Sequence, residues 1–255
     1  MRKNLRYLIL LLILLFVAVN EALNKTRSTS WENPLWVRIY AINGDGREAT
    51  DSYIDSLTTR SFEMTENFVN REARRYGIRI DAIDVAYNGR LPSGPPQPPS
   101  GQSLLENIWW SLKFRTWATY RGWKSDSEAG DVELFVNYYD TETAQSLRHS
   151  VGLQGGLIGI INAFADMSYN GSNQVVIAHE LMHTLGASDK YTLENLPIHP
   201  QGYAEPYRNP LYPQQKAEIM GGRIPQSAQV SKMPESLNQV VIGSYTAAEI
   251  NWPVE

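Results

Sequence analysis

The sequence predicts an α+β fold with a mixed sheet, and three observations support this prediction. A strand, a helix and a second strand alternate over residues 35–87, which is the order of a parallel crossover unit. Two further strand patterns, at residues 131–139 and 157–164, precede an amphipathic helix at residues 174–185. Residues 190–223 are rich in Pro, Tyr, Asn and Gly, which predicts mostly loops. The chain therefore divides into a regular N-terminal part and a loop-rich C-terminal part.

The opening unit begins with a strand at residues 35–42, which are rich in Val, Ile, Trp and Tyr and end at a glycine-containing turn. Apolar residues at helical spacing then predict one helix over residues 51–76, and Gly77 ends it. Residues 78–87 return as a strand. A crossover helix joins parallel strands, so we expect these two strands to be parallel.

A proline-rich segment separates this unit from the next helix. Five prolines lie within residues 91–102, and proline fits neither a helix interior nor a central strand, so we expect a rigid surface loop. Residues 104–120 then carry an apolar stripe that includes several tryptophans. Core packing is the first interpretation of this stripe, and a helix that faces a membrane or caps a substrate is the second.

Two helix starts are predicted from capping residues. Asn173 is the expected N-cap of the helix at residues 174–185, because asparagine accepts hydrogen bonds from the free amides at a helix start. Thr246 and Glu249 have the spacing of a capping box and predict a short final helix that ends near Trp252.

Composition narrows the functional classes. The chain has 255 residues and a formal net charge of −4, and no cluster of Lys and Arg lies outside its N-terminus. This balance argues against a nucleic-acid partner. The chain has no cysteine, which excludes disulfides, thiolate zinc ligands and a lipid-bearing cysteine.

The N-terminal segment predicts export from the cytoplasm. Three basic residues precede an apolar run at residues 7–19, and such charges keep the N-terminus in the cytoplasm. We expect residues 1–24 to be a signal or membrane anchor and residues 25–34 to be a polar tether. The run is short for a full span, but the small residues of a cleavage site are missing. An anchor that stays on the protein is therefore favoured over secretion after cleavage.

The segment from His179 to Asp189, HELMHTLGASD, carries most of the functional information. His179 and His183 are four residues apart on a helix, so they project from one face and can bind one zinc ion. Glu180 lies beside them, at the position of the general base in the H-E-x-x-H metalloprotease motif. Gly186 can adopt the left-handed conformation that ends a helix, so the chain can turn Asp189 towards the same ion. Three protein ligands leave a fourth position for water, which is typical of catalytic zinc.

Simpler interpretations exist for the same residues. The histidines and the glutamate also fit an amphipathic helix with chance polar residues, and Asp189 also fits an ordinary turn. His149 and His199 compete with Asp189 for the place of third ligand. His199 ranks second because two neighbouring prolines fix its loop.

The pattern H-E-x-x-H-x-x-G-x-x-D resembles the metzincin clan of zinc peptidases, in the variant with aspartate as third ligand that the small secreted bacterial snapalysins carry. The resemblance is specific over residues 175–191. Met220, within residues 218–222, resembles the methionine turn that forms a hydrophobic floor under the metal in that clan. No tyrosine directly follows Met220, as one does in some metzincins. Tyr191 is the alternative candidate for contact with the transition state, beside an ordinary packing role.

This resemblance implies a two-lobed zincin whose mixed sheet and backing helices lie above the active-site helix. Residues 35–255 would form the metzincin-like metalloprotease domain, with an upper lobe at about residues 35–186 and a loop-rich lower lobe at about residues 187–255. The strand before the active-site helix, residues 157–164, would be antiparallel and form the upper rim of the cleft. An extended substrate could pair with that edge by strand addition.

The sequence therefore predicts a zinc-dependent endopeptidase that acts on protein or peptide substrates outside the cytoplasm. Its cofactor would be Zn²⁺, held by His179, His183 and Asp189, with Glu180 as the base. A zinc amidase that acts on cell-wall peptides is an alternative, because it keeps the metal and changes only the bond. A catalytically inactive surface-binding domain with the same fold is another, although the intact Glu180 argues against it.

Overall fold

The structure, a computed structural model, describes residues 28–99, 103–124, 130–144, 146–153 and 157–254. Within them, five strands form one sheet: β1 (Leu35–Asn43), β2 (Ile83–Leu91), β3 (Val132–Tyr139), β4 (Val151–Leu153) and β5 (Ile158–Phe164). Their order is β2-β1-β3-β5-β4. The β2-β1, β1-β3 and β3-β5 pairs are parallel, and the β5-β4 pair is antiparallel. The predicted α+β class with a mixed sheet is confirmed.

Helices cover both faces of this sheet: α1 (Glu48–Asp55), α2 (Glu63–Arg75), α3 (Leu104–Lys124) and α4 (Asn170–Leu185). Ile39 and Leu134 point to one face and pack in the same core as α2 and α4. Their neighbours Tyr40 and Phe135 point to the other face and pack with α3. Because successive side chains of a strand alternate between faces, α3 lies on the face of the sheet opposite to α4.

The prediction of one continuous helix over residues 51–76 is wrong. The first helix ends at Asp55, and a second helix begins at Glu63. A 3-10 turn at Thr59–Phe62 precedes α2. The Thr58 amide donates to Ser61 Oγ at 3.0 Å, and the Thr58 side chain accepts in return. This reciprocal capping box starts a new helix inside the apolar pattern.

The second strand is parallel to the first, as predicted, but begins at Ile83 rather than at residue 78. The Asn70 side chain, on α2, hydrogen-bonds both the N–H and the C=O of Ile83 at 3.0 Å. A contact across the crossover, rather than local alternation, therefore sets where β2 begins.

The expectation that the strand before α4 is antiparallel and lies at the rim of the cleft is wrong. β5 has a partner on each side, parallel on one and antiparallel on the other, and six of its seven residues are buried. A strand that is apolar on both faces is typical of a sheet interior. The antiparallel edge strand is β4, which comes just before β5 in the chain.

The start of α4 also differs from the prediction. α4 begins at Asn170, with Tyr169 as the N-cap residue, so Asn173 lies inside the helix and is not its cap. The buried Asn173 side chain instead accepts from the Phe164 amide at 3.1 Å and donates to the Phe164 carbonyl at 2.9 Å. Asn173 thus joins the end of β5 to α4.

Residues 92–99 of the proline-rich segment contain neither helix nor strand, as predicted. Leu91 is instead the last residue of β2, and residues 100–102 lie outside the described residues. The Pro96 carbonyl accepts a hydrogen bond from Trp110 Nε1 at 2.7 Å. This bond holds the loop against the start of α3.

Beyond α4 the regular elements are short, as the composition predicts: β6 (Ala217–Glu218), β7 (Ile224–Pro225), β8 (Ser231–Lys232), β9 (Val240–Val241) and α5 (Ser244–Glu249). Met220 and Trp252 nevertheless belong to the same hydrophobic core as the α4 side of the sheet. The C-terminal part is therefore held by packing rather than by long elements.

The capping box predicted at Thr246 is wrong. α5 begins at Ser244, with Gly243 as the N-cap residue. Thr246 is fully buried and its hydroxyl donates to Glu218 Oε1 at 2.7 Å. The Thr246 hydroxyl is thus bound to a distant carboxylate rather than to the start of its own helix.

The N-terminal predictions fall partly outside the described residues. The signal or anchor at residues 1–24 lies wholly outside them. Among the described helices, none is both long enough and apolar enough to cross a membrane. The tether at residues 25–34 is packed against the domain in its described part, because the buried Trp31 donates from Nε1 to the Ile250 carbonyl at 2.8 Å. The folded domain therefore begins before residue 35.

Replacing Trp31 with alanine should lower the free energy of unfolding by about 3 kcal/mol. The Trp31 ring is 8% exposed and packs edge-on against Trp252, with 5.6 Å between ring centroids. Trp36→Ala is the matched control, because Trp36 is 46% exposed, and its loss should stay under about 1 kcal/mol. Urea denaturation of both variants measures the difference, and equal losses would mean that residues 28–34 are a free tether after all.

Candidate metal centre

Helix α4 presents the two histidines on one face. The His179 and His183 ring centroids are 4.8 Å apart, as expected for side chains one helical turn apart. Gly186 ends the helix with φ of +110°. The Gly186 amide donates to the His183 carbonyl and the Ala187 amide donates to the Met182 carbonyl. These two bonds form a Schellman motif, which needs the left-handed residue predicted at Gly186.

Asp189 comes back to the histidines after this turn. Its Oδ1 lies 3.2 Å from His179 Nε2 and 3.0 Å from His183 Nε2. The three ligand atoms all lie within 4.8 Å of one another. The three residues predicted as metal ligands are therefore brought together.

Backbone carbonyls fix the protonation of both rings. His179 Nδ1 lies 2.8 Å from the Ile219 carbonyl oxygen, and His183 Nδ1 lies 2.9 Å from the Ala187 carbonyl oxygen. A carbonyl oxygen only accepts hydrogen bonds, so each Nδ1 must be the donor. In neutral rings each Nε2 then has a lone pair directed at the Asp189 carboxylate.

This donor set fits a cation. Burial would raise the pKa of Asp189, but the neighbouring His179 and His183 lower it well below the usual range, so Asp189 is a carboxylate. Two nitrogen lone pairs and one carboxylate oxygen repel one another unless a positive charge lies between them. Two imidazoles and one carboxylate are a ligand set of catalytic zinc. The carbonyl bonds to Nδ1 are the outer-sphere contacts that orient such ligands.

Comparison of the sequence with models of protein families and with curated proteins finds no match. The resemblance to the metzincins therefore depends on the residues of the motif. The function must be argued from the geometry of these residues.

Glu180 is placed beside the ligands but is not one of them. It is 5% exposed, and its Oε2 is buried with no hydrogen-bond partner among the described residues. Burial raises the pKa of Glu180, although His179, His183 and a hydrogen bond from the Gly152 amide act in the opposite direction. A raised pKa makes a carboxylate a stronger base, which suits the predicted role.

Edge strand β4 approaches α4 at a glycine. A Cβ atom on Gly152 would lie 2.6 Å from the Glu180 carbonyl oxygen and 2.6 Å from His183 Cβ. Both distances are shorter than any van der Waals contact. Only glycine therefore lets the strand come close enough for its amide to bind the Glu180 carboxylate.

Gly152→Val should separate β4 from α4 and displace both Glu180 and His183. We expect a loss of about 1–3 kcal/mol of stability from overpacking, together with weaker zinc binding. Gly89→Ala is a suitable control because Gly89 has φ of +84° but no atom near its Cβ position. It should cost about 1 kcal/mol through backbone strain and leave zinc binding unchanged. Thermal unfolding and zinc titration of the two variants separate these effects, and equal zinc affinities would exclude the proposed role of Gly152.

The loop that carries Asp189 is held by Glu249. The Glu249 carboxylate accepts from the Ser188 amide at 2.9 Å, from Ser188 Oγ at 2.6 Å and from Lys190 Nζ at 2.6 Å. Lys190 also donates its backbone amide to the Met220 carbonyl at 2.9 Å. Residues on both sides of Asp189 are therefore fixed, which positions its carboxylate.

The turn that contains Met220 also contacts the centre. Its Ile219 carbonyl orients His179, and the Met220 side chain is fully buried in the core. The turn is held by Glu218, whose Oε2 accepts from the Met220 amide at 2.7 Å and from the Gly221 amide at 2.9 Å. The predicted methionine turn thus lies next to the ligands. A role for Met220 as the floor under a metal remains a prediction.

Tyr191 lies closer to the centre than an ordinary packing role requires. Its ring centroid is 6.1 Å from that of His179, and its hydroxyl is close enough to Asp189 for that carboxylate to shift its pKa. Burial and the Asp189 charge both raise the pKa of Tyr191, so the phenol stays protonated and donates.

Neither of the two histidines that compete for the place of third ligand lies at the candidate metal centre. His199 Nε2 lies 3.0 Å from the Pro206 carbonyl oxygen. Among the described residues, the group that could hold a metal contains neither His149 nor His199.

Sequence reasoning missed three supporting residues. The sequence contains a signal for Gly152, because an isolated glycine in a strand often marks a close backbone approach. The signal for Glu218 is weaker, since Glu218 is only an acidic residue at the start of a glycine-rich turn. The sequence contains no signal for Glu249, because its partners Ser188 and Lys190 are about 60 residues away in the chain.

Proposed function

We propose that this protein is a zinc-dependent endopeptidase that hydrolyses peptide bonds outside the cytoplasm. The observation that carries the proposal is the convergence of two histidine Nε2 atoms and one aspartate oxygen within 4.8 Å, with both Nδ1 atoms already committed to backbone carbonyls. With neutral rings, such a set offers three ligand atoms to one cation. The export location rests on the basic residues that precede the apolar run at residues 7–19.

His179, His183 and Asp189 would hold the zinc ion. A zinc ion held by three protein ligands lowers the pKa of a water at its remaining position and polarises a substrate carbonyl. The ligand types support zinc over calcium or magnesium, which prefer oxygen ligands alone. No cysteine competes for the metal, because the chain has none.

Glu180 would act as the general base and then as the general acid. It takes a proton from the water that attacks the scissile carbonyl, and it returns the proton to the leaving amine. The buried Oε2, without a protein partner among the described residues, is available for this proton. The Gly152 amide holds the carboxylate in place. The Tyr191 hydroxyl is the nearest candidate donor to the developing negative charge on the substrate oxygen.

The substrate backbone would pair with the free edge of β4. β4 is the last strand of the sheet, so its outer backbone groups have no partner strand in the part of the chain that the structure describes. An extended peptide that pairs there runs past Gly152, which touches the backbone of the active-site helix at Glu180. Strand addition uses backbone groups of the substrate, so it supports an endopeptidase of broad sequence preference.

Metal removal tests the proposal. We expect the purified chain to contain one zinc ion and to cleave members of an unstructured peptide library. A chelator should abolish cleavage, and added zinc should restore it. Zinc should also raise the thermal midpoint, since a ligand at 100 times its Kd stabilises the fold by about 2.7 kcal/mol. Cleavage of cell-wall peptides without cleavage of the library would replace the endopeptidase by an amidase, and zinc binding without any hydrolysis would leave only a binding domain.

A further inference from the structure

Helix α3 has two apolar faces, and only one is covered by the described part of the chain. Trp110, Phe114 and Ala118 form the inner face and are buried against the sheet. Their partners include Phe135, which contacts the rings of Phe114 and Trp117. This face explains why α3 belongs to the fold.

The outer face of α3 is also apolar, yet it is exposed. Leu104 is 72% exposed, Leu105 78% and Trp109 61%, and Ile108 and Leu112 follow them on the same side of the helix. An open groove of about 460 Å³ runs between Trp109 and Trp117, with Lys113 at its rim. The apolar side chains of a surface helix normally face the core, and polar side chains face the solvent. An exposed patch of this kind marks a surface that contacts another phase or molecule.

The charge of α3 differs in sign from that of the whole protein. Residues 104–124 contain four basic residues and one acidic residue, whereas the whole chain has a formal net charge of −4. Arg121 lies on the inner face, over the rings of Tyr40 and Phe135, so the charge of the outer face comes from the remaining basic residues. Lys113 Nζ lies 5.5 Å above the centre of the Trp109 ring, next to the exposed leucines. The outer face thus combines apolar residues, a tryptophan and a cation, which suits the anionic interface of a lipid bilayer.

The N-terminal sequence gives a second reason to choose a bilayer. The apolar run at residues 7–19 would be about 20 Å long as a helix, shorter than the roughly 30 Å hydrocarbon core. A weak membrane attachment becomes stable when a second membrane contact is added. The described chain begins only nine residues after this run, so the folded domain stays near any membrane that holds it.

We propose that the outer face of α3 docks on an anionic bilayer surface, with Leu105 and Trp109 in the interface and Lys113 at the headgroups. The helix lies flat on the bilayer and does not cross it. This inference does not depend on the proposed peptidase function, because α3 lies on the face of the sheet opposite to the helix that carries the metal centre.

A single spin label tests this docking in the full chain. Because the chain has no cysteine, Leu105→Cys places one nitroxide on the outer face of α3. Leu193→Cys is the matched control, since Leu193 is 99% exposed and follows Asp189 in the chain rather than lying on α3. With vesicles that contain phosphatidylglycerol, the label at position 105 should become accessible to oxygen and protected from a water-soluble nickel chelate. The label at position 193 should remain in water.

Charge variation completes the test. Lys113→Gln should reduce the ratio of docked to undocked α3 about fivefold, because one basic residue near an anionic surface is lost. Vesicles of phosphatidylcholine alone should give at least as large a reduction, because they lack the anionic headgroups that attract every basic residue of the outer face. Circular dichroism verifies that the exposed substitutions leave the fold unchanged.

Three results would overturn the proposal. The label at position 105 could stay in water with every vesicle composition. It could be shielded without lipid in a concentration-dependent way, which identifies a second copy of the chain on α3. It could be shielded without lipid at every concentration, which identifies residues 1–27 as the cover.

Discussion

Glu180→Ala should lower kcat/KM for peptide hydrolysis about 10³-fold, within the range expected for loss of a general base, and should leave zinc bound. Glu180 does not contribute a ligand atom to the His179, His183 and Asp189 group. Its Oε2 is buried without a partner among the described residues, so the fold does not need it. Removing a buried carboxylate with an unpartnered oxygen should keep or raise the thermal midpoint. Zinc content, hydrolysis and thermal unfolding of the same preparation measure all three quantities.

Glu180→Gln and Glu194→Ala are the controls for this variant. Glutamine keeps the shape of Glu180 and can still accept from the Gly152 amide, but it cannot take a proton at neutral pH. Glu180→Gln should therefore be as inactive as the alanine variant. Glu194 is exposed, so Glu194→Ala should keep full activity. Activity retained in Glu180→Gln would show that Glu180 acts through packing alone.

Asp189→Asn should weaken zinc binding by more than about 100-fold. Loss of an outer-sphere residue that merely orients a ligand typically costs 10–100-fold in metal affinity, so a larger loss distinguishes a ligand from a support. The substitution keeps the size of the side chain and removes the charge that balances the cation. With a chelator present, wild type and variant should have similar thermal midpoints. With zinc present, only the wild type should gain stability.

Asp81→Asn is the matched control for Asp189. Asp81 forms an exposed ion pair with Arg74, 2.7 Å from Oδ1 to Nη1, and such pairs contribute little to stability. Its zinc affinity should equal that of the wild type, as measured by competition with a chromophoric chelator. If Asp189→Asn binds zinc as tightly as this control, Asp189 is not a ligand and the peptidase proposal loses its main support.

The site was predictable where local rules govern it. Spacing alone puts His179 and His183 on one helix face, because 3.6 residues make a turn. The helix end at Gly186 was also predictable from local sequence, because the left-handed conformation that ends many helices favours glycine. The third ligand required one further assumption, namely that the chain turns back within three residues. The distances from Asp189 to both histidines agree with that assumption.

The fold was less predictable where one pattern fits two structures. The apolar periodicity of residues 51–76 continues across the break between α1 and α2. The reason is that apolar residues of both helices pack against the same face of the sheet. The predicted cap at Asn173 failed because its side chain bonds Phe164 rather than its own helix. An Asn side chain can hydrogen-bond backbone N–H and C=O groups that lack another partner. The local sequence does not show which backbone groups these will be.

By itself the sequence determined the α+β class, the three residues that converge at the candidate metal centre, and the glycine turn that brings Asp189 back to the histidines. Each of these follows from contacts within about ten residues of the chain, where helix periodicity and capping rules apply. Only the tertiary structure decided that, among the described strands, β4 rather than β5 lies at the edge of the sheet. The tertiary structure also decided that Gly152 touches α4 and that Glu249 and the Ile219 carbonyl hold the Asp189 loop and the His179 ring. These contacts join distant parts of the chain, and they depend on how elements pack, which periodicity does not encode.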